Sequence, residues 1–160
     1  MDHELATLGD RIEIDDLLVR YATAVDARDW TLLDTVFTAD ARLDYRSAGG
    51  IRGTYLEVRA WLAEVLPIFT WTQHLVVNRA VDLAPTGDSA TAVSIFHNPN
   101  GLLVEGRPWL FTVGGRYHDR LARRSDGWRI TARVEETTWW EHPMPGLPET
   151  PYPLAPDAFD

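Results

Sequence analysis

The chain has 160 residues and a mass of 18.1 kDa, enough for one domain with a sizeable core. Fifteen basic against twenty-four acidic side chains leave a net charge of −9, which argues against nucleic acid or anionic lipid as the main partner, since both need clustered positive charge. There is no cysteine and every basic residue is arginine, so disulfides, thiolate chemistry, Schiff bases and a phosphate-loop lysine are excluded.

The N-terminal segment is acidic and lacks the basic start and apolar run of a secretory signal, and no stretch reaches the roughly 18 apolar residues of a membrane span. A cytoplasmic location is therefore expected. Residues 10–25 place Ile14, Leu18, Tyr21 and Val25 at spacings of four, three and four, which predicts a helix with one apolar face. Asp29 reads as the N-cap of a short second helix over 30–37, with Leu33, Val36 and Phe37 turned inward. Residues 41–45 alternate as a short strand, closed by the turn-forming run 47–50. A third helix over 55–66 stops before Pro67.

From Thr70 the period changes to two. Residues 70–82, 89–97, 108–123 and 128–139 read as strands separated by turns at 85–88, 98–101 and 125–127. Helices followed by long antiparallel strands indicate an α+β fold, a strongly curved and mostly antiparallel sheet wrapped on three N-terminal helices as a cone. No repeat or interdomain linker interrupts residues 1–141, which form one domain. Residues 142–160 carry six of the ten prolines and form a tail, either loosely ordered or a lid or strap across a neighbouring subunit.

Of the five histidines, His3, His118 and His142 lie among charged or tail residues and are expected to be solvated. His74 lies on an unusually polar strand face with Thr70, Thr72, Val76 and Asn78, and His97 shares its face with Val93 and Ile95. Asp26 follows Val25 where the apolar face of the first helix runs out, in a position disfavoured by the helix dipole. It is either solvated or held by a histidine N–H, which would fix the tautomer and strengthen the other ring nitrogen as a base. Tyr21 on the buried helix face and Tyr45 at the short strand each need a hydroxyl partner or a wet cavity.

The runs from Ile14 to Trp30 and from Phe37 to Ala41, with Gln73-His74, Gly114-Gly115-Arg116-Tyr117 and Asp126-Gly127-Trp128-Arg129-Ile130, resemble the SnoaL-like branch of the nuclear-transport-factor-2-like superfamily over about residues 8–140. That resemblance implies an α+β cone with an internal pocket. Within the branch the spacing is most similar to scytalone dehydratase, bile-acid 7α-dehydratase and hexachlorocyclohexane dehydrochlorinase, eliminating enzymes without a cofactor built on an Asp–His pair. By that resemblance Asp26 and His74 match the pair, Tyr21 and Tyr45 match the pocket tyrosines, and His97 the second pocket position. Arg133 resembles the pocket arginine of the dehydrochlorinase, whose helix-one lysine is Tyr21 here, which favours loss of water over loss of halide.

The expected function is thus a lyase that needs neither cofactor nor metal. It removes water from an apolar, oxygenated cyclic hydroxy-ketone or a polyketide, terpenoid or steroid-like compound. His74 oriented by Asp26 would be the base, Tyr21 and Tyr45 would hold the carbonyl oxygen, and His97 would assist the departing hydroxyl. Asn98 and Arg133, with Tyr45, are assigned to substrate binding. Isomerisation or ring closure would begin with the same proton abstraction. A two-histidine, one-carboxylate metal site at His74, His97 and Asp26 and a non-catalytic binding or assembly domain are the competing classes. A homo-oligomer is expected, a trimer before a dimer, with Trp71, Trp109 and Trp128 on an apolar outer sheet face.

Overall fold

The structure, a computed structural model, describes residues 2–160, with side chains from Leu5 onward; the side chain of His3 lies outside the described residues. Helix α1 (Asp2–Ala27) carries the expected stripe, with Ile14, Leu18, Tyr21 and Val25 all buried. It starts earlier than its periodicity predicts: Leu5 and Leu8 are exposed, so no apolar stripe marks those turns in the sequence. Asp29 caps α2 (Trp30–Leu33), its Oδ1 accepting from the Leu32 N–H at 2.9 Å. That helix ends four residues short of expectation. The Val36 carbonyl accepts instead from Ile130 N–H at 2.9 Å, and strand β1 (Phe37–Asp44) runs parallel to the last strand.

Strand β2 (Arg52–Thr54) returns antiparallel to β1 and leads into α3 (Tyr55–Val65), which opens with a reciprocal Thr54–Glu57 capping box. The predicted single strand over 70–82 is two strands, β3 (Phe69–Thr72) and β4 (Leu75–Leu83), interrupted at Gln73 and His74. The predicted turn at 98–101 lies inside β5 (Ser89–Val104), which pairs with β4 along its first half and with β3 beyond. Pro99 survives within this strand because its side of the ladder faces the β3–β4 break. There its carbonyl accepts from the Gln73 N–H at 3.1 Å and no second donor is required. The turn itself falls at Glu105 and Gly106, both at positive φ.

Strands β6 (Arg107–Arg124) and β7 (Gly127–Glu141) complete an open, mixed seven-stranded sheet ordered β2-β1-β7-β6-β5-β3, with β4 also on β5. The helices fill its concave face, and the core lies between α1 and the inward residues of β5, β6 and β7. Two irregularities in β7 matter for function. Leu121 pairs with Ile130 but Arg120 with Ala132, and Gly115 pairs with Thr137 but Gly114 with Trp139. Each inserts one residue and reverses which side chains point inward. Trp128 and Ile130 face the core, then Arg133, Glu135 and Thr137, then Trp140.

Gly115 sits at the second of these bulges, where a Cβ would overlap the backbone carbonyl of Glu136. Gly115→Ala is expected to destabilise the fold by about 1–3 kcal/mol, read from urea unfolding.

The convex face of the sheet exposes Val77, Val93, Ile95 and Trp139, together with Trp71. Trp109, expected there, pairs with buried Leu102 and so lies at the rim of the inner face, its indole N–H donating to the His142 carbonyl at 2.9 Å. Trp128 does not join them: it is 1% exposed, beneath α1, with its indole N–H on Asp10. The 142–160 segment packs on its own chain. Trp140 Nε1 donates to the Glu149 carbonyl at 3.0 Å, Tyr152 packs edge-on against Trp140, and Asp157 pairs with both Arg46 and Arg52. Among the described residues, no helix is long and apolar enough to cross a membrane.

Candidate active site

Asp26 lies in the last turn of α1, and there it meets the β3–β4 break. Its Oδ1 accepts from Thr72 Oγ1 at 2.9 Å and lies 2.5 Å from His74 Nδ1, while its Oδ2 accepts from the His74 backbone N–H at 2.8 Å. The strand therefore breaks where the carboxylate takes the N–H that a ladder would have used. Burial works to raise the Asp26 carboxyl, but its bonds to His74 override this and hold it below the usual carboxylate range. An ionised carboxylate only accepts, so Nδ1 carries the imidazole proton and Nε2 keeps its lone pair. Asn98 Nδ2 lies 2.9 Å from that Nε2 and donates to it.

His74 opens onto a cavity of about 260 Å³. Tyr21 from α1, Tyr45 after β1, Asn98 and Asn100 from β5, and Glu135 from β7 supply its polar wall. Its apolar wall comes chiefly from Trp61 and Leu62 of α3, from Phe69 at the start of β3, and from Met144 and Leu147 of the tail. The two tyrosine hydroxyls are 3.1 Å apart, and the Tyr21 ring packs edge-on against His74. Burial raises the hydroxyls of Tyr21 and Tyr45 above the ordinary tyrosine value, so both are protonated donors at neutral pH.

Two expected site residues lie elsewhere. His97 is exposed on the convex face of β5, its ring 5.7 Å from that of Trp139. It does share a face with Val93 and Ile95, but that face is the outer one, and the inward position is Asn98. His74, Asp26 and His97 consequently do not converge on one centre, and the two-histidine, one-carboxylate arrangement is not assembled. Arg133 is buried behind the cavity wall: Nε and Nη2 donate to Asp119 at 2.7 and 2.8 Å, and its guanidinium is sandwiched 4.0 Å from the Tyr21 ring and 4.2 Å from the Tyr117 ring. It supports Tyr21 rather than lining the cavity. His118 is half-buried and bonded to Glu136 at 2.8 Å, while His142 is exposed as expected.

Glu135 escaped the sequence reading. The only trace of it there is a carboxylate two positions from Arg133, on whichever face that arginine occupies. Burial raises its carboxyl to about 7, and Thr137 and Arg133 offset this only in part. Because its folded value lies above its unfolded one, it leaves the fold unpenalised at acid pH and costs stability progressively as pH rises to about 7. Glu135→Gln is therefore expected to be more stable than wild type at pH 8. Urea unfolding across pH should show the difference growing from the ordinary carboxylate range and levelling above about 7.

The tail closes one side of the cavity, and its Asp157 contacts are the ion pairs that tether it. Asp157→Ala is expected to raise cleavage of the 142–160 segment several-fold in limited proteolysis, with the rest of the domain resistant.

A SnoaL-like domain model matches residues 6–134. An uncharacterized protein of Mycobacterium tuberculosis is 42% identical over 131 residues, covering 82% of this chain and 87% of that one. Among solved structures, a protein from Kribbella flavida superimposes with a TM-score of 0.77 at 26% identity, over 85% of this chain and 95% of that one. A scytalone dehydratase-like protein from Novosphingobium aromaticivorans gives 0.77 at 19% identity over 93% and 95% of the two chains. A hexachlorocyclohexane dehydrochlorinase from Novosphingobium barchaimii gives 0.75 at 20% over 90% and 96%. These last two likenesses establish the fold.

Proposed function

The chain belongs to the SnoaL-like domain family, within the nuclear-transport-factor-2-like fold, and from that premise we propose that it is a cofactor-independent lyase that removes water from a small cyclic hydroxy-ketone. The observation that carries the reading is the 2.5 Å Asp26–His74 contact opening onto a cavity beside a hydrogen-bonded pair of protonated tyrosines. His74 Nε2, released from Asn98 by an incoming substrate, takes the proton beside the carbonyl, and Asp26 balances the imidazolium that results. The Tyr21 and Tyr45 hydroxyls donate to the carbonyl oxygen as it gains enolate charge, a role worth about 10²–10³-fold for one well-placed donor. Arg133 acts through Tyr21 by fixing its ring. The cavity suits one or two rings, since a cavity of about 150 Å³ already holds benzene. Loss of a halide is supported only by likeness to the dehydrochlorinases, and the site offers it no dedicated group.

Two measurements test the proposal. The first is deuterium uptake beside the carbonyl of 1-tetralone in D₂O, and the second is conversion of 3-hydroxycyclohexanone to cyclohexenone. Catalysis of both is expected. Uptake without loss of water would assign an isomerase or cyclase using the same base. Neither reaction, with the ketone nonetheless bound, would make this a binding domain. We also propose a homo-oligomer formed through the convex apolar face, which sedimentation velocity tests with Ile95→Glu as the disrupting variant.

A further inference from the structure

Removal of water needs an acid as well as a base, because hydroxide leaves poorly. His97, expected in that role, faces the other side of the sheet. Of the polar groups around the cavity, Asn98 and Asn100 have no proton to transfer, and the tyrosine hydroxyls are raised by burial and bonded to each other. Glu135 remains. Its Oε1 accepts from Thr137 Oγ1 at 3.2 Å, and its Oε2 has no hydrogen-bond partner among the described residues. Its main chain is pinned by Ser47, whose Oγ donates to the Glu135 carbonyl at 2.5 Å and accepts from Thr137 N–H at 2.9 Å. Among the described residues no ion pair holds this carboxyl. Arg133, whose charge acts on it, gives two of its nitrogens to Asp119.

We propose that Glu135 is the acid that delivers a proton to the departing hydroxyl, an assignment that rests on the reading of His74 as the base. In the step, the C–H bond beside the carbonyl breaks and its proton goes to His74 Nε2. The electron pair forms the C=C bond, the C–O bond breaks, and the Glu135 proton joins the leaving oxygen as water. The imidazolium then returns its proton to the Glu135 carboxylate, through water or solvent, and the site is restored. The groups facing Glu135 agree with an acid that is protonated before the step: Tyr21 from α1, Tyr45 beyond β1 and Tyr117 from β6 are neutral, and Arg133 and Thr137 of β7 only partly offset the burial that raises it to about 7.

The test compares two leaving groups. 3-Hydroxycyclohexanone loses hydroxide and needs an acid, whereas 3-(4-nitrophenoxy)cyclohexanone loses a stable phenolate and does not. Glu135→Gln is expected to slow water elimination by about 10²-fold or more, with nitrophenolate release changed less than about threefold. In wild type, a carboxyl infrared band absent from Glu135→Gln should persist to neutral pH. Parallel slowing of both probes would reduce Glu135 to a structural group. An unchanged rate with both would mean that the imidazole carries both proton transfers. Ionisation of Glu135 in the ordinary carboxylate range would also overturn the assignment. A wild type that releases nitrophenolate no faster than His74→Ala counts instead against the base reading, and the acid falls with it.

Discussion

His74→Ala is expected to lower the rate of water elimination from 3-hydroxycyclohexanone by about 10²–10⁴-fold, the usual share of a positioned general base. The loss should appear in kcat more than in KM, because the imidazole occupies one edge of a cavity whose walls are supplied mostly by other side chains, Tyr21, Tyr45, Trp61 and Phe69 among them. Asp26→Asn should be nearly as damaging. The carboxamide keeps the shape of the carboxylate, but its N–H faces Nδ1 and drives the imidazole proton to Nε2, where the base must be free. It also removes the charge that balances the imidazolium. The two variants together separate roles: alanine at His74 deletes the base, whereas asparagine at Asp26 leaves it present in the wrong tautomer. Steady-state kinetics on both, with circular dichroism to confirm folding, decides the matter. Activity within threefold of wild type in His74→Ala would remove His74 from the chemistry, and the same result in Asp26→Asn alone would remove Asp26 as its positioning residue.

The largest effect on stability is expected at Asp119. Its side chain and that of Arg133 are wholly buried, joined by two hydrogen bonds, and the guanidinium is held between two tyrosine rings. Asp119→Ala leaves that cation buried without its counter-charge, a change that costs about 3–5 kcal/mol. For a chain of this size the melting temperature should fall by roughly 6–20 °C. Replacing both partners with apolar residues, Asp119→Leu with Arg133→Met, is expected to recover much of the loss, since no unpaired charge remains. Turnover should still suffer in the double variant, because the Tyr21 ring loses the cation that fixes it. Urea unfolding measures the first effect and kinetics the second. A cost below about 1 kcal/mol for Asp119→Ala would show that the pair is reached by water.

Where a signal is local, the residues themselves decide it. The stripe from Ile14 to Val25 makes α1, Asp29 caps α2, Thr54 and Glu57 open α3, and the alternating runs after Thr70 make an antiparallel sheet. Asp26 and His74 were legible as a pair through family resemblance, and they meet because the helix end and the strand break face one another.

Alternation could not show which face of a strand is inside. Val93 and Ile95 are as apolar as Ala92 and Phe96, so His97 looked inward when its neighbour Asn98 was the pocket residue. The bulges in β7 reverse parity twice through backbone geometry alone, which hid Glu135. Arg133 and Trp128, expected at a pocket and a surface respectively, are buried where Asp119 takes two of the guanidinium nitrogens and Asp10 the indole N–H. The sequence by itself therefore determined the order of helices and strands and the family, and that resemblance pointed to Asp26 and His74. Which side chains share the cavity was decided by tertiary structure, because strand parity, buried charge pairing and the return of the tail depend on residues distant in the chain.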